Sequence, residues 1–369
     1  MNFRWLTAEK SVRRWLPKPF RYLARLCRTK HGSVCRICFE VRTMEFVSGN
    51  LYLNILLFAI GVFVLVKGSD WFVDAAAALA RSFGVPELVI GLTLVSIGTS
   101  LPELASSLCA SFYGESNFII GNIVGSNTAN IALILGAGLV LGGAISFDRK
   151  VVWRDMLFLL ALGGFLTAWY YLGLDVPERK FGFGRIGGIV LLVLCAVYSV
   201  ILCRSSKDDA PEDDPAPEMK RWKAAGLIVL ALAMIMLGAK LMVDTVVWSA
   251  LKLGVSELMI SLTVVAIGTS LPELAVTVSG ILKKREDIAL GNIIGSCIYN
   301  IVLIIGTCSA VAPLHGNGHS SFEAMIIMNV VALVLWAFLL TGKKLYRWQG
   351  AAFMLLYVAF TAWSVLCVK

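Results

Sequence analysis

Two glutamates stand where a charge is expensive. Glu103 closes the hexapeptide Gly98-Thr99-Ser100-Leu101-Pro102-Glu103, and Glu273 closes the same hexapeptide, Gly268-Thr269-Ser270-Leu271-Pro272-Glu273, 170 residues later. Both lie in otherwise apolar runs with no basic residue beside them in sequence. A carboxylate at membrane depth is costly and by default marks a functional site with a partner. The missing partner is a cation. The neighbours suit one. Pro102 has no N–H, which frees the carbonyl of Gly98 four residues back. Gly98 itself weakens the helix. A broken membrane helix exposes carbonyls only where they line protein or a water-filled cavity. Thr99, Ser100, Thr269 and Ser270 add hydroxyl oxygens. Carbonyl, hydroxyl and carboxylate oxygens are hard ligands suited to Ca²⁺ or Na⁺. Two carboxylates neutralise one divalent ion, and two such half-sites can supply the roughly six to eight oxygens that calcium takes.

A second block keeps the same offset. Gly121-Asn122-Ile123-Val124-Gly125-Ser126 returns as Gly291-Asn292-Ile293-Ile294-Gly295-Ser296, and Asn130 is matched by Asn300. Asn122, Ser126 and Asn130 share one helical face, as do Asn292, Ser296 and Asn300. A polar stripe on an apolar helix points into the bundle. For the asparagines, interhelical hydrogen bonding accounts for the pattern as well as ion binding does, and the glycines allow close helix approach. Asp74 matches Asp244, and Gly84-Val85-Pro86-Glu87-Leu88 matches Gly254-Val255-Ser256-Glu257-Leu258. Glu87 and Glu257 read as helix-start acids, which favour the positive end of the helix dipole. Asp74 and Asp244 are expected to cap helices near interfacial turns.

The elements that must position these residues follow from composition. The 369 residues are 58% hydrophobic and 15% charged, against about 25% charged in soluble domains, and mean hydropathy is +0.80. Runs of roughly 18–22 apolar residues succeed one another, each long enough to cross about 30 Å of hydrocarbon. They are continuous rather than alternating, which disfavours a β-barrel. The expected fold is an all-α polytopic membrane protein. Ten spans are predicted at 50–70, 86–113, 117–142, 151–171, 184–204, 223–248, 256–282, 288–312, 321–341 and 346–367. The first repeat covers 50–204, an acidic linker 205–222, and the second repeat 223–369. Five crossings per repeat force the second to enter with opposite orientation, which gives two inverted five-helix repeats with a site at their interface.

Charge sets the expected orientation. Lys67, Arg81, Arg149, Lys150, Arg154, Lys283, Lys284, Arg285, Lys343, Lys344 and Arg347 fall after odd-numbered spans, while few basic residues follow even ones. The odd loops and the linker are therefore expected on the cytoplasmic side, in a bacterial inner (plasma) membrane. The excess of positive charge lies elsewhere: residues 1–43 hold eleven basic residues and two acids, and the remainder is neutral. This tail contradicts the orientation. Met44 is read as the natural start and 1–43 as an over-extended reading frame; the alternative is a basic segment lying on an anionic membrane surface. Cys35 and Cys38 with His31 form a weak zinc pattern, lacking a second pair. The acids Asp208, Asp209, Glu212, Asp213 and Asp214 read as a solvated tether.

These paired blocks resemble the calcium/cation antiporter superfamily, within it the bacterial sodium/calcium exchanger type, from about residue 50 to the end. The resemblance implies outward exchange of Ca²⁺ against entering Na⁺, with Glu103 and Glu273 binding both ions. It implies ligand oxygens from Thr99, Ser100, Thr269 and Ser270, carbonyls from Ser96 and Ala266 one turn earlier, and contributions from Ser126, Ser296, Asn130 and Asn300. Two positions depart from the pattern. Several family members carry aspartate where this chain has Asn300, and position 297 is cysteine where the first repeat has Asn127.

The expected function is secondary antiport of Ca²⁺ and Na⁺, which are cargo; no cofactor, nucleic acid or obligate protein partner is implied, and the lipid bilayer is the solvent. An H⁺/Ca²⁺ or K⁺-linked exchanger on the same fold is the alternative. An intramembrane hydrolase using Ser100 is disfavoured because no histidine neighbours the hexapeptides. A passive channel is disfavoured by the lack of a ring-like filter motif.

Overall fold

The computed structural model describes residues 51–147, 149–176, 181–205, 219–252, 266–315 and 318–367. Helix α1 (Leu51–Phe83) runs past its apolar run because Ala75 to Ala80 is rich in strong helix formers. It ends where Gly84 takes φ +64°. There Val85 N–H donates back to the Ala80 carbonyl and Gly84 N–H to that of Arg81, each at 3.1 Å, the bonding of a glycine-terminated helix. Helices α2 (Glu87–Thr99) and α3 (Leu101–Phe112) follow one another with a bend of 43°. Then come α4 (Ser116–Gly142), α5 (Arg149–Leu172), α6 (Arg185–Ser205) and α7 (Arg221–Lys252). Short α8 (Ala266–Thr269) precedes α9 (Leu271–Leu282). Last are α10 (Glu286–Val311), α11 (His319–Leu340) and α12 (Arg347–Cys367). Among the described residues seven helices are long and apolar enough to cross a membrane, or eight if the bent pair α2–α3 is counted as one span. The predicted span 256–282 is described only from Ala266, and the last is covered by α12.

Buried apolar side chains form two clusters. The larger joins α2–α6 with α9–α12. The smaller, with Phe72, Ala76, Ile228 and Ile235 at its centre, joins α1 and α7 and touches α2 and α10. Small residues let α1 and α7 lie backbone to backbone. A Cβ on Gly238 would sit 2.6 Å from Leu65 N, and one on Gly68 2.9 Å from Met234 Cβ. Close approach through glycine is how helices associate where lipid provides no hydrophobic drive.

Two small pairings tie the loops. Strands β1 (Ile145–Ser146) and β2 (Lys344–Leu345) pair antiparallel. Phe183 and Leu314 exchange both backbone hydrogen bonds at 2.8 Å. The first pairing joins the α4–α5 and α11–α12 connections, and the second the α5–α6 and α10–α11 connections.

Asp175, in the connection between α5 and α6, organises the second of these ends. Burial pushes its carboxyl up. Donation from Trp169 Nε1 at 2.8 Å, Gly187 N–H at 3.0 Å and Gly184 N–H at 2.8 Å outweighs that and holds it below the ordinary value. A group with a depressed folded-state pKa stabilises fully above its unfolded value, about pH 4, and the benefit disappears as pH falls through the lowered value. Asp175→Asn is expected to lower stability by about 1 kcal/mol at neutral pH. The gap between thermal melts of the two proteins should narrow as pH is lowered below about 4.

Several expectations change. Asp74 and Asp244 do not cap helices: both lie inside helices longer than predicted, Asp74 paired with Lys283 at 2.6 Å and Asp244 with Lys240 at 3.0 Å. Lys67 and Arg81 are likewise helical rather than in a loop. Glu87 does begin α2, but it also pairs with Arg285 at 2.6 Å, a contact sequence spacing could not show. The Cys35–Cys38 pattern, the Met44 start, the acids at 208–214 and Glu257 lie outside the described residues.

Candidate functional site

Each hexapeptide breaks its helix at the serine. Ser100 has φ −84°, ψ 7° between α2 and α3, and Ser270 has φ −92°, ψ 6° between α8 and α9. Proline follows in the first turn of α3 and of α9, where its missing N–H costs nothing. Glu103 and Glu273 thus project from the first turn of a new helix, and both are 1% exposed.

The two breaks meet, and each glutamate is held by the other hexapeptide. Ser100 Oγ donates to Glu273 Oε1 at 3.0 Å, and Ser270 Oγ to Glu103 Oε1 at 3.4 Å. Glu103 also accepts from the side chain of Thr269. The second oxygen of each carboxylate, Oε2, is buried with no hydrogen-bond partner. So are Asn130 Oδ1, Asn300 Oδ1 and Ser296 Oγ. Five orphaned buried oxygens from four elements are a heavy desolvation cost, and every one of them is a potential hard-cation ligand. Ser126 is 4% exposed on α4 beside Asn130.

The backbone around these residues is irregular. Turns of π-helix run over Gly91–Val95 in α2, Ala129–Leu135 in α4 and Asn300–Ile305 in α10. Such turns frequently mark functional sites. Here they fall just before the first break and at Asn130 and Asn300 themselves.

Other side chains brace the helix contacts around these residues. Ser96 Oγ spans the helix contact, lying 2.6 Å from the Gly91 carbonyl and 3.1 Å from that of Asn292. Asn292 is fully committed: Oδ1 accepts from Thr99 Oγ1 at 3.1 Å, and Nδ2 reaches Thr277 Oγ1 at 3.0 Å and the Glu273 carbonyl at 3.4 Å. Asn122 bonds Ser107 Oγ at 3.1 Å, the position matching Thr277. Of the two readings open for these asparagines, Asn122 and Asn292 take the interhelical one. Ala266 begins α8, one turn before the break.

The glycines divide. A Cβ on Gly291 would lie 2.7 Å from the Leu88 carbonyl, and one on Gly295 would strike Ser96 Oγ and the Leu92 carbonyl. These two seat α10 against α2. Gly121 and Gly125 have no described atom within 4 Å of an added Cβ. The close approach expected of these two is not tested, because residues 253–265 lie outside the described residues. Thr277, Ser107 and Asn127 escape a reading of the sequence; single hydroxyls and amides on apolar helices give no signal until the helices are packed.

A helical membrane bundle with five unpartnered buried oxygens, two of them on acids bonded across the two hexapeptides, carries a donor set suited to a hard cation. Comparison with known proteins gives the bundle its family. The chain matches the family described as sodium/calcium exchanger protein over residues 53–204 and 223–366, and it belongs to that family. It is 36% identical to the sodium/calcium exchanger MaX1 of Methanosarcina acetivorans, over 83% of this chain and 97% of that protein. It is 33% identical to the inner membrane protein YrbG of Escherichia coli, over 76% and 88%. The solved structure of the sodium-calcium exchanger NCX_Mj superposes with a TM-score of 0.72 at 32% identity, covering 86% of this chain and 99% of that one. The protein is thus a polytopic membrane cation antiporter.

Proposed function

We propose that the protein exchanges Ca²⁺ for Na⁺ through the site between the two hexapeptides. The observation that carries this is the reciprocal pair of serine–glutamate bonds, which brings two carboxylates together and leaves an oxygen of each unpartnered. Glu103, Glu273, Thr99, Ser100, Thr269, Ser270, Ser126, Ser296, Asn130 and Asn300 would ligate the ions, with the Ser96 and Ala266 carbonyls one turn away. Sodium and calcium compete because both need the same two acids. An empty pocket carrying two charges resists crossing the barrier, and this couples the two fluxes. The ten-helix arrangement as two inverted repeats, 50–204 and 223–369 around a cytoplasmic linker, accounts for the reciprocity of the site. The bacterial inner membrane fits the relatives.

The test is ⁴⁵Ca uptake into proteoliposomes loaded with Na⁺, compared with K⁺ or an imposed pH gradient. Uptake only with internal Na⁺ is expected. Asn300 favours keeping one second reading: with amide rather than carboxylate there, the pocket holds two formal charges, which suit one Ca²⁺ or two monovalent ions, and protons could serve. Uptake driven by the pH gradient alone would make the counter-ion H⁺.

Alternating access requires one side to close. Lys283 and Arg285, at the turn between α9 and α10, bridge to Asp74 on α1 and Glu87 on α2 at 2.6 Å each. Lys283 also donates to the Asp70 carbonyl at 2.9 Å, and Ser279 to Asp70 Oδ1 at 2.7 Å. The matching turn in the first repeat is Tyr113-Gly114-Glu115, without a basic residue, and Asp244 is paired within its own helix. In the orientation predicted from loop charge, this latch closes the cytoplasmic side. Exposed pairs are worth about 0–1 kcal/mol each, so Lys283→Gln with Arg285→Gln should shift the equilibrium by roughly 30-fold at most. The expected result is several-fold faster labelling, from the cytoplasmic side, of a single cysteine placed at Ser100.

A further inference from the structure

Asn300 can serve a cation only with its oxygen forward. A primary amide presents an acceptor from one end and two donors from the other, and a flipped Asn300 would aim N–H groups at the ion. The choice is made outside the ligand shell. Asn300 Nδ2 donates to Asn127 Oδ1 at 2.9 Å. Asn127 in turn has its own nitrogen engaged, donating to the Cys297 carbonyl at 3.1 Å. Asn127 and Asn300 are 1% exposed and Cys297 is fully buried. With water excluded, these bonds have no competitor. Because the Asn127 nitrogen is taken, its oxygen is what remains for Asn300, and because the Asn300 nitrogen is taken, its oxygen is left as one of the orphans.

The same relation recurs across the repeat with a weaker partner. Position 297 matches 127, and the Cys297 side chain lies within hydrogen-bonding reach of Asn130. A thiol sulfur is a weak acceptor, so Asn130 is held less firmly than Asn300. The cysteine at 297 thereby makes the two halves of the site unequal.

We propose that Asn127 is a positioning residue that fixes the amide of Asn300, turning it into an oriented, neutral oxygen donor for the transported cation. This rests on the reading of the hexapeptide site given above. It predicts an effect on ion affinity that passes entirely through Asn300.

The experiment is a double-mutant cycle on the full-length protein. Affinity is read by ⁴⁵Ca scintillation proximity in detergent, and KM and maximal rate by proteoliposome uptake. Asn127→Leu keeps the branched outline and removes both bonds. It is expected to weaken Ca²⁺ binding about 10-fold and raise KM more than it lowers the maximal rate. In the Asn300→Ala background the same substitution should change affinity less than about twofold. A 10-fold loss that persists in Asn300→Ala overturns the proposal, since it would then act on the fold and not on the amide. Unchanged affinity in Asn127→Leu overturns it equally. Asn127→Asp, which keeps the acceptor oxygen, covers the case in which the leucine variant does not fold. It should bind within a few-fold of the parent, and a 10-fold loss there overturns the proposal. Glu103→Gln is the control on the site itself. If it binds Ca²⁺ as the parent does, the site reading fails and this role with it; if it does not bind while Asn127→Leu binds with the parent's affinity, the site stands and the role of Asn127 falls.

Discussion

Glu103→Gln and Glu273→Gln should each abolish Ca²⁺ uptake, by 100-fold or more, while leaving the protein folded. Glutamine keeps the shape and can still accept from the opposing serine, so the helix break and the reciprocal bonds survive. What it removes is half the charge that compensates a divalent ion in a dry site. Breaking a buried charge pairing by deleting one partner costs about 3–5 kcal/mol, more than the 2.7 kcal/mol that corresponds to a factor of 100. The same substitution should raise the thermal stability of the ion-free protein, because two buried carboxylates repel one another when no cation sits between them. Loss of transport together with a higher melting temperature is the signature of a ligand. Loss of transport with a lower melting temperature would mean the glutamates are structural, and unchanged transport would place the ion elsewhere.

Gly291→Ala should be among the most damaging single methyls at the described glycines. The added Cβ would meet the Leu88 carbonyl at 2.7 Å and Leu92 N at 2.9 Å, both backbone. No side chain can rotate out of the way, so α10 must move off α2. Overpacking costs about 1–3 kcal/mol. Here the displacement also pulls Asn292 from Thr99. Strongly reduced folded yield, and at least a 10-fold loss of Ca²⁺ affinity in what folds, is the expected outcome. Gly226→Ala is the internal control. It sits exposed on α7 with no described atom within 4 Å of the added methyl, and glycine to alanine in a helix favours the helix by about 0.5–1 kcal/mol. Fluorescence-detected size exclusion and melting curves of the two variants test the contrast. Equal behaviour would show that the α2–α10 contact is not as tight as these distances require.

Much of the site is legible in the amino-acid sequence because it is built from conflicts with the membrane. A glutamate, a proline and a glycine in an apolar run each carry a cost there. Their recurrence at one offset marks Glu103 and Glu273, the helix breaks at Ser100 and Ser270, and the polar stripes through Asn130 and Asn300. Hydropathy alone places the helices to within a few residues where the run ends in a loop. It fails at α1, which continues through the alanines to Phe83 and carries Asp74 inside the helix, because helix propensity there outlasts hydrophobicity.

What the chain determines by itself is therefore the set of expensive residues and the spans that carry them across the bilayer, since burial costs and 3.6-residue periodicity are local properties. Tertiary structure decides which of those residues face each other. Only packing pairs Ser100 with Glu273 and Ser270 with Glu103, commits Asn292 to Thr99 and Thr277, turns Asn300 against Asn127, and bridges Lys283 to Asp74. Each joins residues at least 15 apart in sequence, most of them more than 160 apart. No spacing rule reaches that far, because such contacts depend on how closely glycine-bearing helix faces come together.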